Sequence, residues 1–289
     1  MSTDAADLRA RAEAESGGLP ALVLSAERLA ALIAPGAHGL RRSGPGEDFW
    51  QYRPAREGDT ARSIDWRRSA RSDAQFVRDR EAQSAEAAVI WASAGQGMGY
   101  RGAASRPTKR DRARLLALAL GMVLLRGGER VGLAGQPPRA GRLQTDRLAQ
   151  GLAMQAEAGT DADQPPLTAL RPNQRVVLIS DFLGDPGWVS DYLARAAALG
   201  VSGALLQVLD PDEEVFPFDG AVLFRSVSGR VSHDTRDAAG LRAAYLDRLA
   251  ERRDLLTRGA QGAGWHFGTH DTATPPAAAL MWLYQVLGG

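Results

Sequence analysis

The sequence predicts an α/β fold with a mostly parallel central sheet and helices on both faces, and three observations carry that prediction. Strand-like and helix-like segments alternate from about residue 83 to the end. The clearest strand, Arg175-Val-Val-Leu-Ile-Ser-Asp, is a continuous apolar run closed by a polar pair. Such a run is expected where a parallel strand, buried on both faces, reaches the functional edge of its sheet. Long amphipathic helices near Leu241–Arg258 and Pro276–Leu287 flank a last short strand around Trp265-His-Phe.

Taken in order, residues 1–20 are polar and read as a flexible terminus. Residues 21–82 read as an N-terminal helix, with Ser25 as its cap and Pro35-Gly36 as its stop, followed by strands and loops packed against the main domain. Residues 83–289 form that main domain. It opens on the buried strand Ala87-Ala-Val-Ile-Trp. A helix from Thr108, its N-cap, runs to Arg126 and is stopped by Gly127-Gly128. A strand at Arg130–Ala134, a helix from Leu143 to Glu157 and a Pro/Asp/Thr-rich loop from Gly159 to Asn173 come next. After the Arg175 strand the pattern gives a helix at Trp188–Leu199, a strand at Gly203–Asp210 and a hairpin or edge strand at Ala221–Arg225.

Composition narrows the function classes. The chain has 289 residues, 44% hydrophobic and 24% charged, enough for a full core and ordinary for a folded protein. Lys+Arg and Asp+Glu number 35 and 34, so no global field recruits nucleic acid or an anionic membrane. The basic side is almost all arginine, Lys109 being the only lysine. Cysteine is absent, which excludes disulfides, thiolate nucleophiles and cysteine-ligated metals and suits a reducing cytosol. The N-terminus lacks a secretory core, and the most apolar run, Leu115–Leu125, is too short to span a bilayer. A soluble cytoplasmic protein is expected.

Three segments go beyond pattern. The first is Gly58-Asp59-Thr-Ala-Arg62-Ser-Ile-Asp65-Trp66, running on to Arg71 and preceded by Gly46 to Arg53. The second is Arg175–Asp181 continuing into Phe182-Leu183, and the third is Leu209 to Phe218 with Tyr245 and His270-Asp-Thr beyond it. Together they resemble the bacterial domain-of-unknown-function 58 family. The resemblance implies a von Willebrand factor A-like, Rossmann-type domain with the signature segment appended. It also implies a protein partner of the MoxR-type AAA+ ATPase class and no established catalysis. Within the signature, which also holds Gly58 and Trp66, the residues Asp59, Arg62, Asp65, Arg67 and Arg71 are expected to form an internal ion-pair network with Trp66 burying apolar surface beside it, or else to present a direct partner surface. Acids interleave with the arginines from Arg41 to Arg80, which argues against a nucleic-acid groove.

In A-type domains the first strand ends in D-x-S-x-S, a set of hard oxygen ligands for Mg2+. On this chain the run falls on Trp91-Ala-Ser93-Ala-Gly95-Gln-Gly97-Met98, so Ser93 replaces the aspartate and Gly95 and Gly97 replace the two serines. Asp181 is the one well-placed carboxylate left, with Thr145 and Asp146 as a poor match for the later ligands. No cofactor is therefore expected, since the residues offer Mg2+ only a weak site. What remains is a glycine-rich loop that can present backbone N–H groups, or a plain tight turn.

Catalytic patterns are sparse: no G-x-S-x-G elbow and no H-E-x-x-H helix. His266 and His270 are read on a strand running into a loop, where their spacing by four need not make them converge. Asp210, Asp212, Glu213 and Glu214 read as a solvated loop, with Phe216 and Phe218 turned inward. A non-catalytic interaction module is the leading expectation. A divalent-cation-dependent domain rebuilt on Asp181 and Ser93, and a hydrolase using Asp181 with a histidine, are the alternatives.

Overall fold

The structure, a computed structural model, describes residues 20–33, 41–43, 49–55, 64–70, 76–83, 87–157, 164–167, 170–225, 232–235 and 237–288. The chain divides into two compact units, residues 37–86 and the remainder.

In the smaller unit, β1 (Arg41–Ser43) and β2 (Phe49–Pro54) both pair antiparallel with β3 (Phe76–Gln83), giving the order β1-β3-β2. A short helix, α2 (Trp66–Ser69), precedes β3, and the Asp65 N–H donates to the Phe76 carbonyl. Of the signature residues, Gly58, Asp59, Arg62 and Arg71 lie outside the described residues. Trp66 corrects its expectation: it is 58% exposed and buries little.

The larger unit begins with α1 (residues 20–30). Helix α1 already includes Pro20, a residue suited to the first turn of a helix, so Ser25 lies inside the helix and does not cap it. There follow β4 (Ala87–Ala92), α3 (Lys109–Arg126), β5 (Arg130–Leu133), α4 (Leu143–Glu157), β6 (Arg175–Ser180), α5 (Gly187–Ala198) and β7 (Ser202–Leu209). The unit closes with α6 (Pro211–Val215), the antiparallel hairpin β8 (Val222–Arg225) and β9 (Ser232–Thr235), α7 (Arg242–Gly262), β10 (His266–Asp271) and α8 (Ala277–Gly288). Five strands form one sheet in the order β10-β7-β6-β4-β5, every pairing parallel. The α/β expectation holds.

Both faces of this sheet are buried, and the period of two along each strand sorts its residues between them. Ala88, Ile90 and Ala92 of β4 and Val177 and Ile179 of β6 face α1, α3, α4 and α8. Val89 and Trp91 of β4 and Val176 and Leu178 of β6 face α5 and α7. Helix α3 is buried from Leu116 to Leu124, which is why its sequence reads as a continuous apolar run and not as a stripe. Its N-cap is Thr108, whose side chain accepts from the Asp111 N–H, as predicted. Close packing also fixes one glycine, because a Cβ on Gly203 would lie 1.9 Å from the Val176 carbonyl oxygen of the neighbouring strand.

The chain leaves β4 for the edge strand β5, then crosses back to β6 on β4's other side. The carboxyl ends of β4 and β6 therefore diverge into a switch-point crevice, the place where open α/β sheets usually receive ligands. Ser93 follows one of those ends and Asp181 the other.

Candidate functional site: an ion-paired crevice at the carboxyl edge of the sheet

The crevice is filled by the chain's own charges. Strand β6 ends at Ser180, and Phe182 turns the chain sharply with φ of 51°. That left-handed conformation is uncommon outside glycine. It is held by a stack of Phe182 on Trp188 at 5.9 Å and by the Ser180 hydroxyl, which accepts from the Phe182 N–H. The turn fixes Asp181: its Oδ1 accepts from the Leu183 N–H at 3.2 Å, and its Oδ2 accepts from Lys109 Nζ at 2.8 Å.

Lys109 comes from the first turn of α3 and is only 1% exposed. Its ammonium also donates to Glu213 Oε1 at 2.6 Å and lies 5.9 Å from the centre of the Tyr100 ring. Glu213 is held by α6, where Asp210 and Glu213 form a capping box closed by Glu213 Oε2 accepting from the Asp210 N–H. Asp210 is fully buried. Its Oδ1 accepts from Arg106 Nη1 at 2.8 Å and from the Asp212 N–H, and its Oδ2 accepts from the Thr272 hydroxyl. Arg106 Nη2 completes a fork with Asp212 at 3.0 Å. Gly102 sits against this fork, since a Cβ there would fall 1.8 Å from Asp212 Oδ2. Arg253 pairs with Glu214 and donates through Nε to Gln207, whose amide donates to the Asp181 carbonyl.

The electrostatics follow from two carboxylates sharing one ammonium. Burial works against the charge on Lys109, but Asp181 and Glu213 outweigh it and hold the amine above its usual range. Glu213 receives only part of that ammonium's charge, so burial, with Asp181 adding to it, leaves its carboxyl above the usual range. Tyr100 is pushed up to about 12, first by burial and then by Asp212, Asp210 and Glu213. The acidic segment Asp210–Glu214 is thus not the solvated loop expected from sequence; it is an interlocked set of ion pairs. Phe216 does turn inward, packing against Tyr245 with ring centres 4.8 Å apart.

With Lys109 in place, these residues do not fit a divalent cation. Both oxygens of Asp181 are committed, Gly95 and Gly97 have no side chain to offer, and the Ser93 hydroxyl accepts from the Gly95 N–H at 3.2 Å. Thr145 and Asp146 lie in the first turn of α4. Among the described residues no group of three or more His, Asp or Glu is placed to hold a metal. Lys109 is the residue sequence reasoning passed over, although a lone lysine at a helix start, where acids are favoured, was a readable signal.

The histidines do not join this cluster. Strand β10 runs on through His270 to Asp271, longer than expected, so His266 and His270 sit on one strand roughly 13 Å apart. His266 is exposed. His270 is buried and meets Arg112 Nη1 at 2.6 Å through Nε2 and the Thr274 hydroxyl at 3.3 Å through Nδ1. Arg112 also donates to the Thr272 and Thr274 carbonyls, pinning the segment that leads into α8. Burial and then Arg112 lower His270 to about 4, so it is neutral and accepts from Arg112. It lines a cavity of about 940 Å³ with Val215, Thr274 and Trp282.

The model of the family described as "Protein of unknown function DUF58" matches residues 51–254. The chain belongs to the DUF58 family. An uncharacterized protein of Mycobacterium tuberculosis and one of Mycobacterium bovis are each 28% identical over 240 residues, covering 76% of this chain and 73% of theirs. Among solved structures, the conserved hypothetical protein BatB of Bacteroides thetaiotaomicron is similar with a TM-score of 0.43 and 15% identity, over 70% of this chain and 97% of that one. An aerotolerance-related membrane protein of Bacteroides fragilis is similar with a TM-score of 0.40 and 16% identity, over 70% and 98%. Among the described residues of the present DUF58 chain, no helix is long and apolar enough to cross a membrane.

The burial of Lys109 makes an immediate prediction. As the chain's only lysine, it can be followed by mapping peptides after treatment with an amine-acylating reagent. The folded protein should leave Lys109 unmodified over times that saturate an exposed lysine, and denaturant should release the reaction. Labelling of the native protein at the exposed-lysine rate would contradict the buried ion pair.

Proposed function

We propose that this DUF58 chain is a non-catalytic protein-interaction module of von Willebrand factor A-like type, working in the cytoplasm with a MoxR-type AAA+ ATPase as adaptor or client-presenting subunit. The observation that carries the reading is the commitment of Lys109, Asp181, Glu213, Asp210 and Arg106 to one another at the carboxyl edge of the sheet. A side chain locked in a buried pair is poorly placed to act as nucleophile or general base, and a reacting group would first have to break that pair. The partner class rests on the family resemblance. Around the crevice, Gln96, Gly99, Leu183 and Asp185 are exposed and supply a surface that recognises shape and backbone donors.

The test is a binding titration between purified chain and ATPase, with ATP turnover measured in parallel. Expected are saturable binding that survives EDTA in a nucleotide-free assay and a change in turnover. A Leu183→Asp variant should weaken binding at least tenfold with an unchanged melting temperature. No binding and no change in turnover at saturating chain would remove the proposal. Binding that EDTA abolishes would favour the cation-dependent alternative.

A further inference from the structure

Lys109 occupies an expensive position. It stands in the first turn of α3, where the helix dipole disfavours positive charge, and it is 1% exposed, where any charge is costly. Among the described residues nearly every other cation is an exposed or half-buried arginine, so the one lysine marks a place that needs a different group. An ammonium is a compact point charge, whereas a guanidinium is a planar fork that needs matched partners on its rim. Nζ sits at the switch-point crevice between two carboxylate oxygens, Asp181 Oδ2 at 2.8 Å and Glu213 Oε1 at 2.6 Å.

The two carboxylates are also braced as ligands of a hard cation are. Each gives one oxygen to Nζ and keeps the other on a backbone N–H, of Leu183 for Asp181 and of Asp210 for Glu213. Holding the second oxygen fixes the direction of the first. Magnesium-like ions need only one or two carboxylates when water completes the octahedron.

We infer that Lys109 Nζ is a built-in cation filling a latent divalent-cation site, so that the ammonium does for this crevice what a bound metal would otherwise do. The natural chain needs no metal to stay folded. Truncating the lysine uncovers a site with Asp181 and Glu213 as protein ligands and water in the remaining positions.

The experiment compares the natural chain, Lys109→Ala and Lys109→Ala/Glu213→Gln by thermal melting and calorimetry, with MnCl2, MgCl2 or EDTA. The natural chain should melt at one temperature in all three. Lys109→Ala should melt lower in EDTA and recover in a saturable, one-to-one manner with Mn2+, and the added Glu213→Gln should weaken that Mn2+ affinity at least tenfold. If Lys109→Ala does not fold in EDTA, refolding in Mn2+ answers the same question: recovery of the native circular dichroism supports the inference, and failure in both media overturns it. It is overturned equally by a folded Lys109→Ala indifferent to Mn2+, or by Mn2+ binding to the natural chain that Asp181→Asn abolishes. No partner protein enters the assay, so its outcome is separate from that of the ATPase titration.

Discussion

Replacing Asp210 by alanine should lower the unfolding free energy by about 2–4 kcal/mol, the range expected when a helix cap and a buried hydrogen-bond acceptor are lost together. Asp210 joins three parts of the larger unit. It accepts from Arg106 in the segment before α3, caps α6 through the Asp212 N–H, and accepts from the Thr272 hydroxyl beyond β10. Alanine leaves the Arg106 guanidinium with Asp212 alone, leaves the first turn of α6 uncapped and leaves a buried hydroxyl short of its acceptor. Asparagine keeps the shape and the cap but not the charge, so Asp210→Asn should cost less than Asp210→Ala. Urea unfolding of both variants, at unchanged slope, measures the ordering. A loss below about 1 kcal/mol for alanine, typical of an exposed pair, would show that the cluster is more solvated than its geometry indicates.

Why the elements were legible and the site was not comes down to distance along the chain. The strands of the sheet are written locally, as apolar runs whose alternate residues serve two faces, and the helix caps at Thr108 and Gly127 are local as well. Helix α6 was also written locally, as an aspartate, a proline and a glutamate in capping-box register, and was passed over because its acids suggested a solvated loop. Helix α1 already includes Pro20, ahead of the cap expected at Ser25, and β10 runs past Gly268, where a Cβ would come 2.7 Å from the ring of Trp282, so glycine there makes room for α8. The ion pairs of Lys109 with Asp181 and Glu213 span 72 and 104 residues, and no window of sequence contains them. The likeness to a metal-binding loop concerns only what Ser93, Gly95 and Gly97 lack. The residue that fills the crevice arrived from a different helix.

The acid limb of the stability curve should belong largely to His270. Its folded pKa lies near 4 against an ordinary value of 6.5, because burial and then Arg112 oppose its protonation while Asp271 favours it. As pH falls below 6.5 the unfolded chain takes up a proton that the folded chain refuses. Stability from this group is therefore complete above 6.5 and lost as pH falls toward 4, a total on the order of 3 kcal/mol at 1.36 kcal/mol per pKa unit. Glu213 acts with the opposite sign: a raised carboxyl contributes most below its unfolded value of 4.5 and loses that contribution as pH rises. The natural chain must therefore be compared with His270→Gln, which keeps a polar partner for Arg112 but cannot titrate in this range. Unfolding free energies of the two should converge near pH 4 and separate toward pH 7, in favour of the natural chain. The first region to loosen should be the one Arg112 pins, because a protonated imidazole 2.6 Å from its guanidinium must move away and release the Thr272 and Thr274 carbonyls. Amide exchange should then accelerate in α8 before it does in β6, and parallel pH profiles for the two proteins would show that His270 is not the group responsible.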